Sequence, residues 1–216
     1  MLRVSVFGSY YRGYCVLSEL LSGPLSDRIK IVGVATDDPS QSFVSPSRRV
    51  WQYEHTAAER ILVRGLAQRF GLDLYEGKVK TPEFHSLYED VWKPDLCVSA
   101  TFGQRIDSRI YGYCKKGFYN LHPCDLGPWP SRYAGPNPFK HMLEDGMSRF
   151  VIRMHEVDDG FDTGRVVATS EPVYIPEGAT VQDLHKMSAP IAALLVRNFT
   201  QGLLGQPVEA DHTAAQ

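Results

Sequence analysis

An amide, an imidazole and a carboxylate that can meet are the parts needed to move an acyl group, and Asn120, His122 and Asp162 supply them. The amide NH2 and a protonated imidazole donate hydrogen bonds to an oxyanion as it develops. The carboxylate orients the imidazole and helps carry a proton away from an attacking amine. Asn120 and His122 stand two apart in the strand-like run Gly117-Phe118-Tyr119-Asn120-Leu121-His122-Pro123, so their side chains leave the same face. Asp162 must arrive from a separate segment, His155-Glu156-Val157-Asp158-Asp159-Gly160-Phe161-Asp162-Thr163-Gly164, whose glycines let the backbone itself approach a ligand. The acidic run lacks the D-x-[DN]-x-[DN]-G pattern and closing glutamate of a calcium loop. A solvated hairpin turn is the alternative reading of the same residues, and spacing alone leaves the two open.

The elements that must position these groups are legible in outline. Residues 2–7 form a short apolar run ending at Gly8, residues 14–21 have helical spacing of apolar side chains, and 29–35 is a second β-branched run. This βαβ opening implies parallel strands with a right-handed crossover and a ligand site at the strands' carboxyl ends. The first such end, Gly8-Ser9-Tyr10-Tyr11-Arg12-Gly13, is not G-x-G-x-x-G, because Ser9 and Tyr10 stand where a glycine should admit a pyrophosphate. A polar loop is expected at 37–53, a helix over 56–70, a strand at 72–75, a helix over 81–88 opened by Pro82, and a strand at 94–100. The alternation predicts an α/β fold, a Rossmann-like, mostly parallel sheet with helices on both faces. Beyond it come a proline- and glycine-rich loop over 127–138, a helix at 139–144, strands at 150–155 and 165–169, and a helix over 180–199 capped by Thr180 with Asp183. One domain spanning 1–204 and a flexible tail at 205–216 are expected.

With 216 residues, 43% hydrophobic and 22% charged, the composition excludes disorder, collagen and coiled coil. A formal net charge of −2 is not that of a protein living on a polyanion, so a nucleic-acid partner is not expected. No apolar stretch approaches the roughly 18 residues of a membrane span, and the N-terminal run is too short for a signal peptide. No membrane partner and a cytoplasmic location are therefore expected. Cys15, Cys97, Cys114 and Cys124 form no C-x-x-C pair and read as free thiols rather than zinc ligands. Cys124 lies two residues past His122, but a thiolate nucleophile needs an electropositive setting that spacing does not supply.

Taken in order, Asn120-Leu121-His122-Pro123, the loop from Tyr133 to Pro138, and Asp158-Asp159-Gly160-Phe161-Asp162-Thr163-Gly164 resemble the catalytic domain of the formyltransferases that use 10-formyltetrahydrofolate. That family includes glycinamide ribonucleotide, methionyl-tRNA and amino-sugar formyltransferases. The resemblance runs from residue 1 to about 200 and is strongest over 94–185. It implies that Asn120, His122 and Asp162 are the catalytic trio, that an acceptor amine attacks the formyl carbon of 10-formyltetrahydrofolate, and that no metal is required. It also implies that Phe102, Gly103, Gln104, Arg105 and Ile106, with Val157, Asp158, Asp159 and Gly160, bind the folate.

Two departures bear on the acceptor. The family's Leu-Leu-Pro-x-[Tyr/Trp]-[Arg/Pro]-Gly is replaced by the longer Asp125-Leu126-Gly127-Pro128-Trp129-Pro130-Ser131-Arg132-Tyr133-Ala134-Gly135, and residues 8–12 do not reproduce a Gly-Ser-Asn phosphate loop. Ser9, Tyr10, Tyr11, Arg12 and Tyr133 are the candidates for the acceptor side. A small-molecule amine or hydroxylamine, such as an amino sugar or hydroxyornithine, is the expected acceptor, since the methionyl-tRNA enzymes carry a further C-terminal barrel not expected here. The alternatives are methionyl-tRNA formylation without that barrel, a formyltetrahydrofolate hydrolase, and a non-catalytic Rossmann-like binding module. The long loop bearing Trp129 leaves room for a homodimer.

Overall fold

The computed structural model describes residues 1–37 and 53–205. The expected polar loop and tail therefore lie almost wholly outside the described residues. In chain order the elements begin with β1 (Leu2–Gly8), α1 (Tyr10–Ser22), β2 (Ile29–Ala35), α2 (Ala57–Arg60), α3 (Leu62–Arg69), β3 (Leu74–Tyr75) and α4 (Pro82–Ser86). A π-helical segment, Leu87–Trp92, leads to β4 (Leu96–Ala100), α5 (Ser108–Tyr111), β5 (Phe118–Cys124), α6 (Pro138–Glu144), β6 (Arg149–Glu156), β7 (Val166–Thr169), β8 (Val173–Tyr174) and α7 (Val181–Leu203).

The sheet order is β3-β2-β1-β4-β5-β6-β7, with β8 paired to β6. Strands β1 to β5 run parallel, and β6 returns antiparallel against β5. The direction of winding reverses between β1 and β4, the point at which open α/β sheets bind ligands. Alternation along the strands shows why helices cover both faces. Val4, Val6, Leu96 and Val98 enter one core with Val16 and Leu17 of α1 and Ala192 and Val196 of α7, whereas Phe7 and Cys97 enter a second with Phe84, Tyr88 and Trp92.

Three local expectations change. Helix α1 starts at Tyr10, four residues before the apolar period becomes visible, because Gly13 belongs to helix packing rather than to a loop: a Cβ there would lie 2.6 Å from the Gly8 carbonyl carbon. That close approach brings Arg12 to the carboxyl end of β1. The helix expected over 56–70 begins as a Thr56/Glu59 capping box and breaks at Ile61 into α2 and α3. The helix expected over 81–88 continues as the π-helical segment and stops at Lys93, whose φ is 45°.

Candidate active site

Strand β5 delivers Asn120 and His122 to one face, as their spacing requires, and the antiparallel register sets His155 of β6 directly opposite Asn120. The segment after β6 then folds back so that Asp162, with φ 50°, turns its carboxylate into the gap between them. A left-handed backbone is tolerable for aspartate and here is over-determined by contacts. Gly164 lets the segment run tightly past β6, since a Cβ there would meet the Glu156 carbonyl oxygen at 2.0 Å. Trp129, from the loop that departs from the family pattern, donates its indole N–H to the Gly164 carbonyl at 2.8 Å.

Asp162 is the hub. Asn120 Nδ2 donates to Oδ1 at 3.0 Å and the Gly135 N–H donates to Oδ2 at 2.7 Å. His155 Nε2 lies 3.2 Å from Oδ1 and His122 Nδ1 lies 3.3 Å from Oδ2. Burial would push this carboxyl up, but the contact to His155, the nearby His122 and the Gly135 amide outweigh it and hold it at about 2. His122 moves the other way: burial pushes it below its ordinary 6.5, against the pull of Asp162 and of the Tyr133 carbonyl. Its Nε2 sits 2.9 Å from that carbonyl oxygen. A carbonyl can only accept, so Nε2 carries a proton, and the Nδ1 contact with Asp162 becomes a hydrogen bond when Nδ1 is protonated as well.

The trio lines a cavity of about 490 Å³, within the range of small-molecule sites. Phe102, Gly103, Gln104, Arg105 and Ile106 all line it, as do Val157, Asp158 and Gly160. Several backbone groups of these segments are already spent: the N–H groups of Gly103, Val157 and Gly160 donate to Asp37 Oδ2, the Phe118 carbonyl and Asp158 Oδ1. The Gln104 side chain is committed to Val79 N–H and the Gly77 carbonyl. Asp159 is not among the lining residues; its carbonyl takes a bond from Arg105 and its carboxylate one from the Tyr111 hydroxyl.

On the acceptor side only Arg12 of the five candidates lines the cavity. Ser9 is buried, bonding both the N–H and the carbonyl of Asp37. Tyr10 stacks on His55 with ring centroids 3.4 Å apart, and Tyr11 lies against Lys186 and Glu59. Tyr133 gives its hydroxyl to Asp145 at 2.8 Å, so its contribution to the site is the carbonyl that holds His122. The sequence reading missed His55, Asn137, His155 and His185 as lining residues. Only His155 had a local signal, its place at the start of the acidic segment. Backbone strain gathers here too: Thr101 and Asn137 have φ of 61° and 59°, conformations rare for a β-branched residue above all.

Among the described residues no helix is long and apolar enough to cross a membrane. Residues 43–193 match the formyl transferase family. The methionyl-tRNA formyltransferase of Syntrophomonas wolfei is 30% identical over 143 residues, covering 66% of this chain and 44% of that one. The chain spans under half the length of the curated relatives it matches. In fold it is similar to the phosphoribosylglycinamide formyltransferase of Anaplasma phagocytophilum, with TM-score 0.68, 17% identity and coverage of 99% and 95% of the two chains. It is also similar to an N-formyltransferase of Helicobacter canadensis solved with folinic acid and dTDP-3-aminofucose, with TM-score 0.65, 15% identity and coverage of 100% and 70%. A match across most of the described sheet, with Asn120, His122 and Asp162 brought together inside it, leaves no ambiguity of lineage: the chain belongs to the formyl transferase family.

Proposed function

We propose that the protein transfers a formyl group from 10-formyltetrahydrofolate to the amine or hydroxylamine of a small acceptor. The observation that carries this reading is the convergence of Asn120 and His122 on the buried Asp162 carboxylate inside a cavity. It favours chemistry over a binding module, in which these side chains have no reason to meet. The folate fits the segments at 102–106 and 157–161, where the walls include Phe102, Ile106, Val157 and Phe161 and the carbonyls there offer acceptors to a flat, amide-like ring. Bound there, it supplies an electrophilic formyl carbon.

Asn120 has one amide proton fixed on Asp162, which orients the group. Its other proton is not taken by Asp162 and is available to an oxyanion as charge develops. His122 is placed as the proton acceptor: protonation at Nδ1 would satisfy Asp162 while Nε2–H stays on Tyr133. Donation from His122 Nε2 to an oxyanion requires the Tyr133 bond to open, so proton acceptance is the role this geometry supports better. The deciding experiment is to incubate the protein with 10-formyltetrahydrofolate and a panel of amines and follow tetrahydrofolate release. Release dependent on one amine supports transfer, release needing no acceptor points to hydrolysis, and failure to bind the folate sinks the reading.

A neutral His122 also fixes a pH dependence. Its folded pKa lies below 6.5, so kcat at saturating acceptor should be flat above about pH 6.5 and fall on the acid side as Nδ1 becomes occupied. The stability sign is the same. The unfolded state binds the proton more readily, so the stabilising contribution is complete above about 6.5 and is lost as pH falls through the folded value. An acid limb centred above about pH 6.5 would rule out this role for His122.

A further inference from the structure

Arg12 is a buried cation with no carboxylate partner among the described residues. It is 3% exposed, lines the cavity, and spends its terminal nitrogens on two hydroxyls, Thr101 Oγ1 at 3.2 Å and Ser188 Oγ at 3.0 Å. Its Nε has no hydrogen-bond partner, and among the described residues no acidic group lies within ion-pair distance of it. The Phe139 ring, 5.7 Å from its Cζ, covers one face. Of the buried carboxylates in this region, Glu59 is held by the Thr56 N–H, Gln182 Nε2 and Tyr53, with His55 Nδ1 at 3.8 Å, and Asp37 accepts from the Gly103 N–H. Desolvating a guanidinium costs several kcal/mol, and hydroxyls return less of that than an anion does.

The surroundings favour an anion further. His55 and His185, imidazoles able to donate a ring N–H, line the same cavity, while the unpartnered Oδ1 of Asn137 beside them is an acceptor suited to the amine rather than to the anion. Phe139 packs against both Arg12 and His185. These residues belong to neither segment assigned above to the folate.

Building on the formyl-transfer reading, we infer that Arg12, with His55 and His185, forms a subsite for a small oxyanion, a carboxylate or phosphate, carried by the acceptor beside its amine. The guanidinium then both selects an anionic acceptor and fixes the distance from that anion to the trio. Thr101 and Ser188 act as positioning residues that hold the guanidinium. A merely structural Arg12, tying α1 to α7 through Ser188, would confer stability but no anion affinity.

The test is calorimetric titration of the protein with inorganic phosphate and with acetate at constant ionic strength, before any acceptor is known. Saturable binding of one or both is expected, and which one binds tells phosphate from carboxylate. R12Q should weaken it about tenfold or more, and R12K, which keeps the charge but loses the fork, by a smaller factor. S188A, which removes one hydroxyl from the guanidinium, should also weaken it and covers the case in which R12Q does not fold. Affinity for 10-formyltetrahydrofolate should be unchanged in all three. Wild-type protein that binds neither anion overturns the subsite, as does R12Q with undiminished anion binding. A loss falling on folate affinity instead overturns the assignment to the acceptor. Absence of folate binding with anion binding intact would count against the formyl-transfer reading and leave the subsite standing.

Discussion

Replacing Asp162 by asparagine should lower kcat by about a thousandfold or more while leaving the fold in place. The reason lies in what the four neighbours of this carboxylate require. Gly135 N–H and Asn120 Nδ2 are fixed donors on opposite oxygens. A substituted amide has only one oxygen, and the peptide N–H of Gly135 cannot reverse its polarity, so the new NH2 must face Asn120 and His155. Asn120 then relieves the clash by turning its own amide over, which presents an oxygen where a developing oxyanion needs a donor. The negative charge that would stabilise protonated His122 at 3.3 Å is lost in the same step. Two separate contributions therefore fall together. The check is single-turnover formyl transfer under saturating donor, with folate affinity measured alongside; a D162N enzyme within tenfold of wild type would exclude the hub role. In acid, the wild-type carboxyl should contribute stability fully above its ordinary 3.8 and lose it as pH falls through about 2.

Trp92→Ala is the substitution expected to cost most in stability, about 3–5 kcal/mol. Trp92 is fully buried at the end of the π-helical segment, edge-on to Phe84 at 5.5 Å, with its indole N–H donated to Asp73 at 2.7 Å. It fills the space above Gly33 of β2, where a Cβ would meet the indole at 2.0 Å. Truncation thus opens a void against a position that has no side chain to collapse into it, the situation in which cavity costs are highest. Since whole-domain stabilities are of order 5–15 kcal/mol, this removes a large share. Denaturant unfolding should show a lower midpoint with little change in slope. A loss under about 1 kcal/mol would mean that the second core can repack. Because Trp92 does not line the cavity, kcat per folded molecule should be preserved at low temperature.

How far the site could be read in advance follows the distance over which each residue's environment is set. Asn120 and His122 were legible because a strand's period of two is a local rule, whereas spacing left Asp162 open between a site carboxylate and a solvated turn, and the family resemblance chose between them. His155 opens the acidic segment, yet its place in the site depends on the register that sets it opposite Asn120, 35 residues away. Tyr133 was a candidate for the acceptor side. Asp145 takes its hydroxyl, and what reaches the site is a carbonyl that any residue could offer. The glycines misled in a similar way at Gly13, where packing against Gly8 rather than turn geometry demands the missing side chain.

The sequence by itself determined the strand and helix periods, the order of motifs and the chemical parts of the candidate site, because each is written in side-chain type and spacing within a few residues. Only the tertiary structure decided the state in which those parts are held. Asp162 is a depressed carboxylate because groups from two strands and a loop converge on it, and His122 is pushed below its ordinary pKa because the fold buries it. Arg12 is held by a hydroxyl because Ser188, 176 residues further on, meets it where no carboxylate of the described residues does. Burial and charge pairing are properties of the packed sheet and its two helical layers, and no local pattern can encode a partner that distant in the chain.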